Sequence, residues 1–181
     1  GLPMSAPGVC GDCLRDPPLL AQTRAVFVYG FPLDRLVPRF KFHRDLAAGR
    51  LMADLMAGAL ASAPRPDALV PVPLHARRIR QRGYDQALEL ARPLAAALAL
   101  PLRADLLQRI RATAAQSELD AGQRRRNLAR AFAVADQAAL PAHVALVDDV
   151  MTTGATLAAA AHALRAAGVE RVDAWVCARV P

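Results

Sequence analysis

Aromatic residues are scarce: only 4% of the 181 residues are Phe, Trp or Tyr. That argues against an aromatic-lined groove in which nucleic-acid bases stack one after another. Lysine is nearly missing. Lys41 is the only one, so a net charge of +7 rests almost wholly on arginine. Cysteine is limited to three residues, Cys10, Cys13 and Cys177, too few for a disulfide framework. No apolar run approaches the roughly 18 residues of a membrane helix, which argues against membrane insertion. No charged-then-apolar leader opens the sequence, and a cytoplasmic protein is the default expectation.

What is present is an alanine- and leucine-rich chain, 54% hydrophobic, of a length that suits one full-sized core. Such a composition fits helices layered on a sheet. Residues 1 to 22 are proline-rich and read as an irregular lead-in, with residues 23–181 as the main domain. Cys10-Gly-Asp-Cys13 is half of a zinc-ribbon pattern. A structural zinc takes four ligands, usually from two such pairs. Cys10 and Cys13 therefore stand as an incomplete metal site that a longer form of the chain would fill with Zn²⁺. Starting at Gly1 is what a truncated or processed product would show. Cys177 lies in the apolar terminal run and is expected to be a buried strand residue.

The most informative stretch is Val144-Ala-Leu-Val-Asp-Asp-Val-Met-Thr-Thr-Gly-Ala-Thr156. Val144 to Val147 reads as a parallel strand covered on both faces. Asp148 and Asp149 follow where the strand is expected to end, the place where open α/β sheets hold ligands. Thr152, Thr153, Gly154, Ala155 and Thr156 then form a small-residue turn opening a helix, whose free N–H groups and hydroxyls suit a phosphate. Leu157, Ala160, Ala161 and Leu164 carry that helix, and Gly168 is placed to cap it. A phosphate would be repelled by carboxylates, whereas sugar hydroxyls would be accepted by them. The two features together point to a sugar phosphate. Strand, helix and strand over residues 143 to 178 form one βαβ unit.

Elsewhere, Ala25–Tyr29, Ala68–Pro73 and Ala131–Val134 are strand candidates, and residues 33 to 62 look mainly helical. Arg77, Arg78, Arg80 and Arg82 are expected in a loop ending at Gly83, before a helix that faces the core with Leu88, Ala91, Ala95 and Leu98. His43 and His75 read as structural rather than catalytic, since a catalytic imidazole must also be poised and oriented.

The Asp-Asp/Thr-Thr-Gly-Ala-Thr segment resembles the binding motif for 5-phosphoribosyl-1-pyrophosphate (PRPP) of the type I phosphoribosyltransferases. Further pieces resemble one branch of that superfamily, the ComF family, which is associated with competence, the uptake of transforming DNA. They are Lys41-Phe42, Val70-Pro-Val-Pro-Leu74, Arg82-Gly-Tyr-Asp-Gln86, Arg109 with Thr113 and Gln116, Arg126-Asn127 and Ala131-Phe132. Two departures stand out: Asp85 occupies a position where the family usually has asparagine, and one of two N-terminal cysteine pairs is absent.

The resemblance implies an α/β fold of the type I phosphoribosyltransferase kind, a mostly parallel central sheet flanked by helices, with a small N-terminal hood or zinc-ribbon remnant. It implies that Asp148 and Asp149 face the ribose hydroxyls, and that residues from Val150 and Met151 through Thr156 wrap the 5-phosphate. Arg78 and Arg82 would meet the pyrophosphate, and Arg109, Gln116 and Arg124 would belong to a flexible loop closing over the ligand. Mg²⁺ would accompany PRPP. Three readings remain open: transfer of phosphoribose to an unidentified acceptor, PRPP sensing without turnover, and single-stranded DNA binding alongside a competence helicase or translocase.

Overall fold

A computed structural model describes residues 19–111, 131–135 and 139–181. Cys10, Cys13, Gln116 and Arg124 lie outside the described residues. The order of elements is β1 (Gln22–Val28), α1 (Leu33–Phe42), α2 (Leu46–Leu60), β2 (Ala68–Pro71), α3 (Ala76–Arg82), α4 (Gln86–Leu98), β3 (Leu107–Arg109), β4 (Phe132–Val134), β5 (His143–Met151), α5 (Ala155–Ala167) and β6 (Arg171–Arg179).

Four strands form a sheet in the order β1-β6-β5-β2, and every pairing in it is parallel. The central strands are apolar on both faces because helices cover both. Ala145, Val147, Trp175 and Cys177 pack with α1, α2 and α4. Val144, Leu146, Val172, Ala174 and Val176 point the other way, into a second cluster with α5 and the short β3–β4 pair. Successive residues of one strand thus enter different cores, as the two-residue period requires. Burial pushes the Cys177 thiol up to about 12, which makes it an inert packing group. Among the described residues, no helix is long and apolar enough to cross a membrane.

The βαβ unit forms as its pattern demands. β5 and β6 are parallel neighbours joined by α5, which buries Leu157, Ala160, Ala161 and Leu164. Gly168 ends α5 with φ 111°, a backbone state that costs glycine little. Two expectations are corrected. The arginines after Pro73 do not lie in a loop: Ala76–Arg82 is a helix of about two turns, begun by His75, whose Nδ1 accepts from the Arg77 N–H, and stopped at Gly83 with φ 87°. A run of good helix formers with a cap at each end outweighs its high charge. On α4 the buried face is Ala87, Leu90, Ala91, Leu94 and Ala95: Ala91 and Ala95 lie on it as expected, while Leu88 and Leu98 stand half-buried at its sides.

β3 and β4 pair antiparallel, with Arg109 opposite Phe132. They hold the two ends of the arginine-rich segment side by side, and Ile110 N–H donates to the Ala131 carbonyl at 2.9 Å.

Candidate functional site

The acidic pair lies within β5 rather than just past it. β6 runs alongside β5 as far as Arg179 opposite Met151, which keeps the strand going. β2 ends earlier, at Pro71 opposite Val147, with one further bond from Val72 N–H to the Val147 carbonyl. Asp148 and Asp149 therefore have a strand neighbour on one side and an opening on the other. A missing strand at the carboxyl end of a parallel sheet is how such folds make room for ligands.

Asp85 shapes the far wall of that opening. Its carboxylate accepts from the Leu74 N–H at 2.7 Å and, through its other oxygen, from the Leu88 N–H at 3.2 Å. One side chain thus ties the chain leaving β2 to the first turn of α4. An asparagine offers one acceptor oxygen where this aspartate offers two, so the departure at position 85 suits this double bond. Burial raises the Asp85 pKa, the backbone donors of Leu74, Leu88 and Ala87 pull it down, and the Asp149 charge adds a smaller rise.

A cavity of about 150 Å³ lies between these walls. Asp148, Asp149, Val150 and Thr156 line it from β5 and α5, Arg78 and Arg82 from α3, Gln86 and Ala87 from α4, Arg109 from β3 and Lys41 from α1. Arg82 donates to Gln86 Oε1 at 2.8 Å and stacks on Phe42 with its guanidinium carbon 5.0 Å from the ring centroid. Arg109 lies over Phe132 at 5.3 Å, a cation–π contact that holds it at the cavity wall. Burial lowers the Arg109 pKa, the nearby Arg78 charge lowers it further, and Asp148 opposes both.

The two acids are not equivalent. Asp149, 5% exposed, is held by Lys41, with Nζ 2.9 Å from Oδ1, and accepts from the Val150 N–H at 2.6 Å. Asp148 is pushed up to about 8, first by burial and then by the charge of Asp149; the Asp149 N–H at 2.9 Å and Lys41 pull the other way. Near neutral pH Asp148 therefore favours its protonated form. A carboxyl that can both donate and accept, beside the Lys41-bound Asp149, suits neighbouring hydroxyls.

Thr152, Thr153 and Ala155 are exposed at the mouth of this region, and Gly154 holds φ 75° at the start of α5. Thr153 Oγ1 accepts from the Ala155 N–H at 3.4 Å. By helix geometry the N–H groups of Thr156 and Leu157 have no partner within α5 and face the helix entrance. Met151 differs from its neighbours: it is buried beneath Gly154 and serves the core.

Of the residues singled out in the sequence, Asp148, Asp149, Val150, Thr156, Arg78, Arg82 and Arg109 meet around one cavity. Thr152, Thr153, Gly154 and Ala155 flank it without lining it. Sequence reasoning missed Lys41 and Gln86 as site residues. The signal for Lys41 was in the composition, because a chain that otherwise uses arginine has one lysine, and that lysine reaches the acids.

The fold and this cavity define a class. A family model described as phosphoribosyl transferase domain matches residues 85–181, so the chain carries such a domain. It is 38% identical to Competence protein F of Haemophilus influenzae over 178 residues, 94% of this chain and 78% of that protein. It is 40% identical to the DNA utilization protein YhgH of Salmonella typhi over 189 aligned residues, 99% of this chain and 82% of that protein. Competence protein ComFC of Bacillus subtilis is 32% identical over 173 residues, 91% of this chain and 69% of that protein. The chain belongs to the ComF family of phosphoribosyltransferase-like proteins.

Proposed function

We propose that the cavity binds PRPP and that the protein transfers phosphoribose to an acceptor in the service of DNA uptake or utilisation. One observation carries this reading: the carboxylate pair at the open end of β5 shares a cavity with Arg78, Arg82 and Arg109 and leads directly into the free first turn of α5. The ribose hydroxyls would meet Asp148 and Asp149. The 5-phosphate would sit on the N–H groups and hydroxyls of Thr152 to Thr156. The pyrophosphate would face Arg78, Arg82 and Arg109, whose forks both neutralise and orient it.

Transfer is displacement at the anomeric carbon: pyrophosphate leaves with the bonding pair, positive charge builds on the ring, and the acceptor adds. Asp149 lies where it would stabilise that charge. Mg²⁺, when bound, would neutralise the departing pyrophosphate. The described residues offer no group of three or more His, Cys, Asp or Glu for an ion. They fit an ion carried in by the ligand, with Asp148 and Asp149 as partners of its water shell.

A second reading, PRPP sensing without turnover, is favoured by the lining among the described residues: apart from Asp148 and Asp149, which would hold the ribose, it offers no carboxylate or imidazole as a base for the acceptor. Single-stranded DNA binding is supported by the arginine-borne charge of +7 and by the competence and DNA-utilization names of the relatives. A salt series tests it, since a flat plot of log K against log salt removes it.

Calorimetric titration with PRPP tests the shared basis of the first two readings, and saturable heat with one site per chain is expected. Pyrophosphate release across a panel of nucleobases and amines then divides them. Release with one acceptor establishes transfer. Binding with no release from any acceptor favours sensing.

A further inference from the structure

Lys41 is the only lysine among 23 lysine and arginine residues. That single ammonium lies on the acidic pair and lines the ligand cavity. The Lys41 side chain is 24% exposed and the Asp149 side chain 7%, so solvent screens their attraction weakly. The placement is built into the fold. Phe40, one residue earlier, is fully buried, fills the space over Gly49 and meets the Tyr84 ring at 5.9 Å between centroids. With Phe40 anchored, the last turn of α1 is fixed in rotation, and Lys41 is carried to the sheet edge.

The residue type matters as well. A guanidinium is a planar fork that commits its donors to one plane, whereas an ammonium is a compact charge with three donors that can reorient. Lys41 can keep one donor on Asp149 and turn others toward the cavity.

A PRPP site brings two negative groups together, the carboxylate on the ribose hydroxyls and the pyrophosphate on the adjacent carbon. A positive charge between them relieves the repulsion. Asp149 Oδ1 already accepts from Lys41 and from the Val150 N–H, which leaves that oxygen crowded for direct metal coordination. We infer that Lys41 is the resident cation of the site: it stays on Asp149 while donating to a pyrophosphate oxygen, so capture of the ligand does not require a divalent ion. This inference rests on the reading of the cavity as a PRPP site. Any ion that arrives with the pyrophosphate then serves its departure rather than its binding.

The test is calorimetric titration of the full chain with PRPP, once in EDTA and once in excess Mg²⁺, for the wild type and for Lys41→Gln. Wild-type dissociation constants in the two buffers are expected to agree within about threefold. Lys41→Gln is expected to bind at least about tenfold more weakly in EDTA, with part of the loss restored by Mg²⁺, because a lost charge partner leaves Asp149 facing the pyrophosphate. A wild-type loss of tenfold or more in EDTA overturns the inference whatever the variant does, so the test stands even if Lys41→Gln does not fold. An unchanged ratio of the two constants in a folded Lys41→Gln also overturns it. Absence of wild-type binding in both buffers sinks the PRPP reading itself, and this inference with it.

Discussion

Two aspartates, Asp173 and Asp149, are buried in the same sheet, 1% and 5% exposed, at opposite ends of the parallel strands. Around Asp173 the charge is closed off. His143 Nε2 donates to it at 2.9 Å, and Arg171 donates through Nε at 3.2 Å and through a terminal nitrogen at 3.1 Å. It does not line the cavity. Around Asp149 a second acid stands next in the chain, Lys41 Nζ lies 2.9 Å from Asp149, and about 150 Å³ of space opens beside them. A buried acid whose partners surround it is a structural device. A pair of adjacent acids beside an opening is left for a ligand to complete.

The largest expected effect tests the closed end. Asp173→Ala should cost about 3 kcal/mol, because it orphans the His143 and Arg171 donors. For a chain of this size, thermal unfolding should then fall by about 6–12 °C. PRPP affinity of the folded variant should stay within about twofold of the wild type. A large affinity loss there would erase the contrast between the two ends.

The open end should behave in the reverse way. Asp149→Asn and Thr153→Ala should each weaken PRPP binding more than about tenfold, or about 1.4 kcal/mol, in titrations of the folded variants. Wild-type affinity in both would move the site elsewhere.

The smallest effect sharpens the comparison through pH. The Asp148 pKa lies near 8 in the folded chain against 3.8 for a free side chain. The fold favours the protonated form, so this residue's contribution is fully present below the unfolded pKa and is lost as pH rises toward 8. Asp148→Asn removes that loss. Its unfolding temperature should match the wild type near pH 4 and exceed it by at least about 2 °C near pH 8.5. Scanning calorimetry at both pH values checks this, and a variant less stable than the wild type at the higher pH would show that Asp148 is not held against its charge.

The parts legible in the sequence were those whose causes are local. Val144–Val147 announces a strand covered on both faces, Leu157 to Leu164 keeps a helical period, and Gly168 marks a cap; the acids come near the strand's end, though inside it. The type I phosphoribosyltransferase fold followed from that unit and from the resemblance it carries. What was hidden depends on contacts between distant segments. Asp149 and Lys41 meet only because α1 packs against the sheet, a contact between segments far apart in the chain. The tie from Asp85 to Leu74 across the preceding helix is likewise a contact that no local pattern shows. The arginines of α3 read as a loop because the run is dense in like charge, yet caps at His75 and Gly83 hold it helical.

The most direct measurement is a crystal structure of the protein with PRPP and Mg²⁺. The account predicts the 5-phosphate against the backbone of residues 152–156, the ribose hydroxyls at Asp148 and Asp149, and the pyrophosphate toward Arg78 and Arg82. A sugar phosphate bound outside this cavity, with the first turn of α5 untouched, would contradict it.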